Sequence, residues 1–433
     1  LKTHSQPKKT SGLFAWALYD WANSAFFTLI QTFVFATYFV RVLAENETIG
    51  TAVWGYMTAV TGFAIALGGP VLGAMADQRG RRKPWIAVFT GICVVATAGL
   101  WFVAPSPDYV LLGLVLVGIG TLGAEFASIF YNAMLPDLAP PGHIGRWSGW
   151  GWGLGYAGGL VCLTLALVAF VEVDNPWFDF DRGASEHVRA TFLLTAAWVL
   201  VFSVPLFLVS PDLPSTGKTL SQAISQGFRQ LLSSARHVRR YQHIVRFLLA
   251  RMLYTDGLIA LFMFGGVYAA GTFDMSQADV LKFGIALNIS AGLGAAAFAW
   301  VDDRIGAKPT IMVSLVGLIV PGILILLVDS EAAFWLLGIM IGVFIGPVQA
   351  ASRSYLARAA PQGLRTEMFG LYALSGKATA FLGPLAVGWL THLTGSQRIG
   401  MSPIIVLLVT GFVLMLTVPK PRGRISAELS GCP

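Results

Sequence analysis

The sequence predicts an all-α membrane protein with twelve transmembrane helices in two pseudo-symmetric six-helix bundles. Three observations carry that prediction. Hydrophobic residues make up 55% of the 433 and charged residues only 12%, with a mean hydropathy of +0.69, whereas soluble domains carry about 25% charge. Apolar runs of about 20 residues, the length that crosses a hydrocarbon core, recur throughout. Short charged segments between the runs repeat at a nearly constant offset and divide the chain in two.

Span 1 covers 13–40, an aromatic-rich run interrupted by Asp20, Asn23, Ser24 and Gln31. Span 2, 51–76, stops at DQRGRRKP (Asp77 to Pro84). Spans 3 and 4, 84–104 and 109–134, lead to PPGHIGRWSG (Pro140 to Gly149). Spans 5 and 6, 148–172 and 190–209, flank an aromatic, acidic loop from Asp174 to His187. The stretch 210–243, rich in Ser, Gln and Arg, is a linker. Within it Leu220, Ile224, Phe228, Leu231 and Leu232 recur at helical spacing and predict an amphipathic helix over 219–235. Its basic residues face anionic headgroups or solvent. Spans 7 and 8, 244–271 and 278–301, end at DDRIGAKP (Asp302 to Pro309). Spans 9 and 10, 308–328 and 332–356, lead to PQGLRTEMFG (Pro361 to Gly370), and spans 11 and 12 cover 366–392 and 399–418. Gly and Pro inside these runs are compatible with membrane helices. The domains are then 1–209, the first bundle, the linker 210–243, and 244–433, the second bundle with its tail.

The halves repeat. Asp77, Arg79, Lys83 and Pro84 recur as Asp302, Arg304, Lys308 and Pro309 at a shift of 225; Pro140, Gly142 and Gly149 recur at a shift of 221. The net charge of +7 is explained by topology. With an even helix count both ends share a side, and 20 Lys and Arg fall on that side against 5 on the other. This asymmetry places both termini in the cytoplasm of a multi-pass protein of the cytoplasmic (inner) membrane. It also makes nucleic acid an unneeded partner for the basic charge. Cys93, Cys162 and Cys432 form no disulfide framework. Span 1 lacks a small-residue cleavage site and is expected to remain a helix.

Several motif matches fail on context. GIGTLG (Gly118 to Gly123) and GLGYAG (Gly153 to Gly158) lie within spans, where small residues let helices approach. DLPSTGKT has Asp212 where a phosphate loop needs Gly and follows a membrane helix. No nucleotide, cofactor or metal site is expected, and no nucleophile–base pair marks an enzyme. NET (Asn46 to Thr48) is a glycosylation sequon on the outer side.

Ionisable groups inside spans cost about 2.5–3.5 kcal/mol each on insertion scales and face a cavity or a partner. Here they are Asp20, Glu125, Arg251, Asp256, Arg353 and Lys377. Asp20, Asn23, Ser24, Phe27 and Gln31 step by three or four along span 1; Thr121, Glu125, Ser128 and Asn132 do so along span 4. Gln349, Ser352 and Arg353 form a shorter stripe on span 10. A desolvated carboxylate takes up a proton more readily than one in water. Asp20, Glu125 and Asp256 are therefore the proton-coupling candidates. Asn23, Gln31, Ser128, Asn132, Gln349 and Lys377 are the substrate-cavity candidates, with Lys377 meeting either a substrate anion or one of the carboxylates. Arg251 and Asp256, five apart, point about 140° from one another and need different partners. Arg353, near the span end, reads as a gate. The other span 1 aromatics, Trp16, Tyr19, Trp21 and Tyr38, are expected mostly at lipid or in the interfacial belt. The competing reading throughout is that these charges form fixed structural pairs.

The loop GAMADQRGRRKP resembles the one between helices 2 and 3 of the major facilitator superfamily. The resemblance implies that Asp77 latches the two bundles on the cytoplasmic side, with Arg79, Arg81 and Arg82 holding the loop against carboxylates and lipid. By the repeat, Asp302 and Arg304 join Asp77, Arg79, Arg82 and Arg353 as gating candidates. WALYDWANSAFFTLIQTFVFATYF, YNAMLPDLAPPGHIGRWSGWGWGLGYAGG (Tyr131 to Gly159) and GPVQAASRSYLARAAPQGLRTEMFGLYALSGKATAFLGP (Gly346 to Pro384) together look like the Unknown Major Facilitator family, which includes fungal autophagy-linked vacuolar amino-acid effluxers. The resemblance implies that spans 1, 4, 7 and 10 line a central cavity. The reading is a monomeric secondary transporter working by alternating access. Its cargo is a small polar organic solute, an amino acid or amino-acid-like metabolite favoured. It is proton-coupled or uses another coupling ion, it contacts membrane lipid, and efflux is one possible direction. A sugar or drug exporter of the same fold, and a non-transporting homologue acting as sensor or partner, are the alternatives.

Overall fold

Residues 6–140, 142–171, 180–236 and 241–420 are described by a computed structural model, and every regular element among them is helical. Lys2, Arg239, Arg240, Arg422, Arg424, Cys432 and residues 174–179 of the acidic loop lie outside the described residues. Helices are the only open-chain solution in hydrocarbon, because each satisfies its backbone polar groups internally. The first six membrane helices are α1 (Gln6–Ala25), α2 (Glu47–Arg79), α3 (Lys83–Gly99), α4 (Val110–Leu138), α5 (Ile144–Ala166) and α6 (Glu186–Val209). Helix α1 runs on through wider π turns over Phe26–Phe33 and Phe39–Leu43. The linker carries α7 (Leu220–Arg236). There follow α8 (Gln242–Phe273), α9 (Gln277–Ile305), α10 (Ala307–Ile325), α11 (Glu331–Ala359), α12 (Arg365–Ser375), α13 (Leu382–Thr394) and α14 (Ser402–Leu416). Among the described residues eleven helices are individually long and apolar enough to cross a membrane. The twelfth crossing is α12 and α13 together, so the fold has twelve membrane helices.

Packing divides the chain into two compact units. One gathers the described residues of Leu1–Gly68, Gly80–Met134 and Leu154–Gly217; the other gathers those of Gly69–Arg79, Leu135–Gly153 and Lys218–Pro433. In the first unit α6 packs against α1 and α3. Phe26, Ile30, Phe35 and Phe39 of the first span form a core with Val103 and Phe192. Tyr38 joins that core, and Trp16 and Tyr19 are buried as well, which corrects their expected lipid or belt placement. Each polar tip has found a partner, as a buried ring with a donor requires. Trp16 Nε1 donates to Tyr131 O at 3.0 Å, Tyr19 Oη shares a hydrogen bond with Thr90 at 2.7 Å, and Tyr38 Oη donates to Val103 O at 3.0 Å.

The sequence repeat is also a repeat of contacts. Lys83 Nζ, at the start of α3, donates to Phe207 O near the end of α6 at 2.9 Å. Lys308 Nζ, at the start of α10, donates to Leu416 O at the end of α14 at 3.0 Å. In both units a lysine ammonium therefore satisfies carbonyls that a helix C-terminus leaves open, where the helix dipole favours a cation.

In the second unit α9 and α11 approach through glycines. A Cβ placed at Gly294 would lie 2.0 Å from Val343 O, and one at Gly346 would lie 2.0 Å from Ala291 O. Span 11, expected as one helix over 366–392, is interrupted between Ser375 and Leu382. The cause lies in α8. Arg251 Nη1 donates to Tyr372 O at 2.6 Å and to Ser375 Oγ at 2.8 Å, with its guanidinium 3.4 Å from the Tyr372 ring centroid. Tyr372 O is the acceptor that Gly376 N–H would use in a regular helix. Displaced, Gly376 N–H bonds Ala373 O and Lys377 N–H bonds Leu374 O, both in the tighter i→i+3 pattern. A side chain inserted into the ladder is a recognised cause of a helix break. Downstream, Pro384 lacks the N–H that would bond Ala380.

Two outcomes test these accounts. Gly346→Val should lower stability by about 1–3 kcal/mol through overpacking, read as a fall in detergent melting temperature. Gly388→Val should leave it unchanged, because nothing lies within 4 Å of a Cβ there. Arg251→Met should return Tyr372 O to Gly376 and slow amide exchange over 376–381 about fivefold, the factor for one net hydrogen bond.

Candidate functional site

The first unit joins the polar stripes of α1 and α4. Asn23 Nδ2 donates to Ser128 Oγ at 3.1 Å, and Gln31 Nε2 donates to Thr121 Oγ1 at 2.6 Å. A regular α-helix would carry Gln31 about 80° round from Asn23. The wider turns over Phe26–Phe33 bring it back over the same face. Glu125 sits between Thr121 and Ser128 on α4, and Asp20 sits one turn before Asn23 on α1; both are half-buried. Asn132 is half-buried one turn beyond Ser128. Helix α5 closes on this face through Gly155, where a Cβ would lie 2.6 Å from Ser24 Oγ and 3.6 Å from Asp20 Cβ. Phe27 packs against the apolar core cluster of this unit.

The second unit holds Asp256 on α8. The residue is fully buried, and neither carboxylate oxygen has a hydrogen-bond partner of normal geometry. Thr379, in the break between α12 and α13, stands beside it, and its hydroxyl is likewise buried without a well-formed bond. Gly383 of α13 closes on the same turn, with a Cβ position 2.6 Å from Asp256 O. Arg251 and Asp256 thus take different partners, yet both meet span 11, one at its break's upstream edge and one downstream. Lys377 lies half-buried within the break, and Gln349 is half-buried on α11. The α11 stripe parts: Ser352 Oγ shares a 2.6 Å hydrogen bond with Tyr254 Oη, while buried Arg353 donates to Ser148 Oγ at 2.9 Å and Ser148 O at 2.7 Å.

At the Arg79 end of α2, Asp77 accepts the amides of Thr366 and Glu367 at 3.1 and 2.9 Å. It caps the first turn of α12, where free N–H groups and the helix dipole favour an anion. Arg365 beside it pairs with Asp137. The repeat-related Asp302 has a different environment: it is buried, accepts from Ser354 Oγ and pairs with Arg358. Asp303 next to it takes Arg146, Arg358 and the Gly145 amide. Arg79 and Arg304 are exposed at their helix ends. Arg82 is buried, and its amide, with that of Lys83, donates to Asp212 at 3.0 and 3.1 Å.

Sequence reasoning missed Asp137, Asp212, Asp303, Arg365 and Glu367. Arg146, Arg358 and Arg365 fall among the 20 basic residues on the side of the termini, where they read as topology charges, and the mismatch of Asp212 with a phosphate loop conceals a helix cap. A signal was available in the acids adjoining these loops, since a carboxylate at a span end beside basic residues has partners within reach. Among the described residues no three His, Cys, Asp or Glu gather as a metal would require.

The family model described as "Vacuole effluxer Atg22 like" matches residues 39–144 and 142–428. The uncharacterized MFS-type transporter YxiO of Bacillus subtilis is 28% identical over 411 residues, 94% of each chain. Autophagy-related protein 22 of Cryptococcus neoformans is 24% identical over 299 residues, covering 64% of this chain and 53% of its own length, so the chain spans about half of that relative. Among solved structures, the proton:xylose symporter XylE superposes with a TM-score of 0.74 at 16% identity, over 96% of this chain and 97% of its own; that likeness shows the fold. The chain therefore belongs to the Atg22-like effluxer family of major facilitator transporters.

Proposed function

We propose that this transporter moves a small polar organic solute, an amino acid or amino-acid-like metabolite, across the membrane by alternating access, driven by coupled proton movement. The observation that carries the reading is the pairing of Asn23 with Ser128 and Gln31 with Thr121, with Asp20 and Glu125 on the same two stripes. Polar groups at mid-span are costly unless they serve a path or a partner. The resemblance to fungal amino-acid effluxers supports the solute class and makes efflux the favoured direction. The carboxylates Asp20 and Glu125 suit the ammonium of a zwitterion, and Lys377 its carboxylate. The charge asymmetry of the loops supports a cytoplasmic-membrane protein with both termini inside.

Asp256 is the strongest proton carrier of the three acids on physical grounds. A fully buried carboxylate whose oxygens make no well-formed hydrogen bond is costly as an anion, which suits it to exchange a proton. The cap that Asp77 places on α12 supports the latch: two amide bonds to one carboxylate are strong enough to hold a conformer and few enough to break. Ser148, holding Arg353 through both its oxygens, supports a gating role for that arginine. The six-plus-six domain division, with 210–243 as linker, belongs to the same proposal.

Proteoliposomes loaded with a pH-sensitive dye test the coupling. Asp20→Asn, Glu125→Gln and Asp256→Asn are each made, and cargo-driven proton movement should be lost in at least one while the protein stays folded. Unchanged movement in all three removes the proton assignment. For cargo, a thermal-shift screen of amino acids, sugars and nucleosides should single out amino acids, with about 2.7 kcal/mol of added stability at a hundredfold excess over Kd. A response confined to sugars points to the wrong solute class. Asp77→Asn should weaken the latch by about 1–3 kcal/mol, read as faster exchange of the Thr366 and Glu367 amides.

A further inference from the structure

Helix α7 presents three sectors at about 100° per residue. The first, with Ala223, Gly227 and Gln230, faces the protein. Ala223 is buried, a Cβ at Gly227 would lie 3.0 Å from Met75 N, and Gln230 Nε2 donates to Glu367 Oε2 at 2.6 Å. Gln230 also accepts from Gln78, the neighbour of Asp77. The second sector is apolar and bare: Leu220, Ile224, Phe228 and Leu232 are 49, 38, 55 and 53% exposed. The third is polar, with Gln222, Ser225, Arg229 and Arg236 exposed.

A helix that merely caps a soluble surface turns its apolar stripe onto the protein. In α7 small and polar residues make that contact and the large apolar ones do not. The helix is joined by 210–219 and 237–241 to the membrane helices α6 and α8, which tethers it at the bilayer surface. An apolar stripe bordered by arginines at that depth has the chemistry of an interfacial helix on an anionic leaflet.

We propose that α7 binds the anionic lipid surface, with the Leu220–Leu232 stripe at the acyl boundary and Arg229 and Arg236 on lipid phosphates. Seated there, it holds Gln230 on Glu367 beside the Asp77 cap, so anionic lipid favours the conformer in which the latch is made. The second half of the proposal rests on the latch described above; the first does not.

The full chain is placed in nanodiscs of phosphatidylcholine with or without phosphatidylglycerol. A bimane label at Phe228→Cys, with Cys93, Cys162 and Cys432 replaced by Ala, should be quenched by headgroup-proximal nitroxide lipid and spared by aqueous iodide. The same label at Gln222→Cys should respond to iodide. Phosphatidylglycerol should slow exchange of the α7 amides and of Thr366 and Glu367 in the unmodified chain, which keeps the test available if the cysteine-free chain fails to fold. Arg229→Gln with Arg236→Gln should reduce that lipid preference about fivefold per arginine. Iodide quenching at Phe228, or shielding from both quenchers as by a second copy or another segment, overturns the lipid assignment. So does exchange in α7 that is identical with and without phosphatidylglycerol. If α7 responds to phosphatidylglycerol while Thr366 and Glu367 do not, the control over the latch is overturned. If Asp77→Asn leaves those two amides unchanged in either lipid, the latch reading itself has failed and the quenching result still decides lipid binding.

Discussion

The bilayer supplies no hydrogen bonds, so a polar group between these helices is costly unless the protein itself answers it. That constraint selects helices for the backbone and then governs the side chains. The buried rings of α1 show it most directly. Trp16, Tyr19 and Tyr38 each end on a carbonyl or hydroxyl of a distant segment, and the same rule places Lys83 and Lys308 on the open carbonyls of α6 and α14. A lysine in each sequence repeat thus closes the end of a distant helix, which explains a residue pair that topology alone would leave as a count of positive charges.

The repeat is not followed at the acids. Asp77 and Asp302 occupy matching positions, yet Asp77 caps the amides of α12 while Asp302 sits buried against Arg358 and Ser354. A carboxylate on backbone amides at a helix start has an interaction that ends when the helix moves. A buried ion pair with added hydrogen bonds is harder to open, because separating it strands a charge. One sequence motif therefore places its acid on backbone amides in one repeat and in a buried ion pair in the other. Around α8 the same logic works on a helix rather than a side chain: Arg251 satisfies its own donors by taking an acceptor from span 11, and the interruption that results sits beside Asp256 and carries Lys377.

The spans were legible because membrane crossing demands length and apolarity, which a single sequence displays. The stripes of Asp20 to Gln31 and of Thr121 to Asn132 were legible because helical spacing puts residues on one face. The faces toward which the aromatics turn were not legible, since a tryptophan reads the same at lipid and in a core. Nor was the break in span 11. Pro70, Pro136, Pro205, Pro321 and Pro347 all lie inside uninterrupted helices, so Gly376 and Pro384 carried no distinctive signal.

The sequence by itself determined the helical class, the number of crossings, the duplicated loops and the acids and bases that membrane burial makes expensive. These follow from local quantities: run length, period and charge along one chain. Only the tertiary structure decided that Asp77 caps α12, that Arg251 opens span 11 and that the apolar stripe of α7 is left bare. Each of these depends on which distant helix lies alongside, and a hydrogen-bond acceptor several helices away leaves no trace in the spacing of the residues that use it.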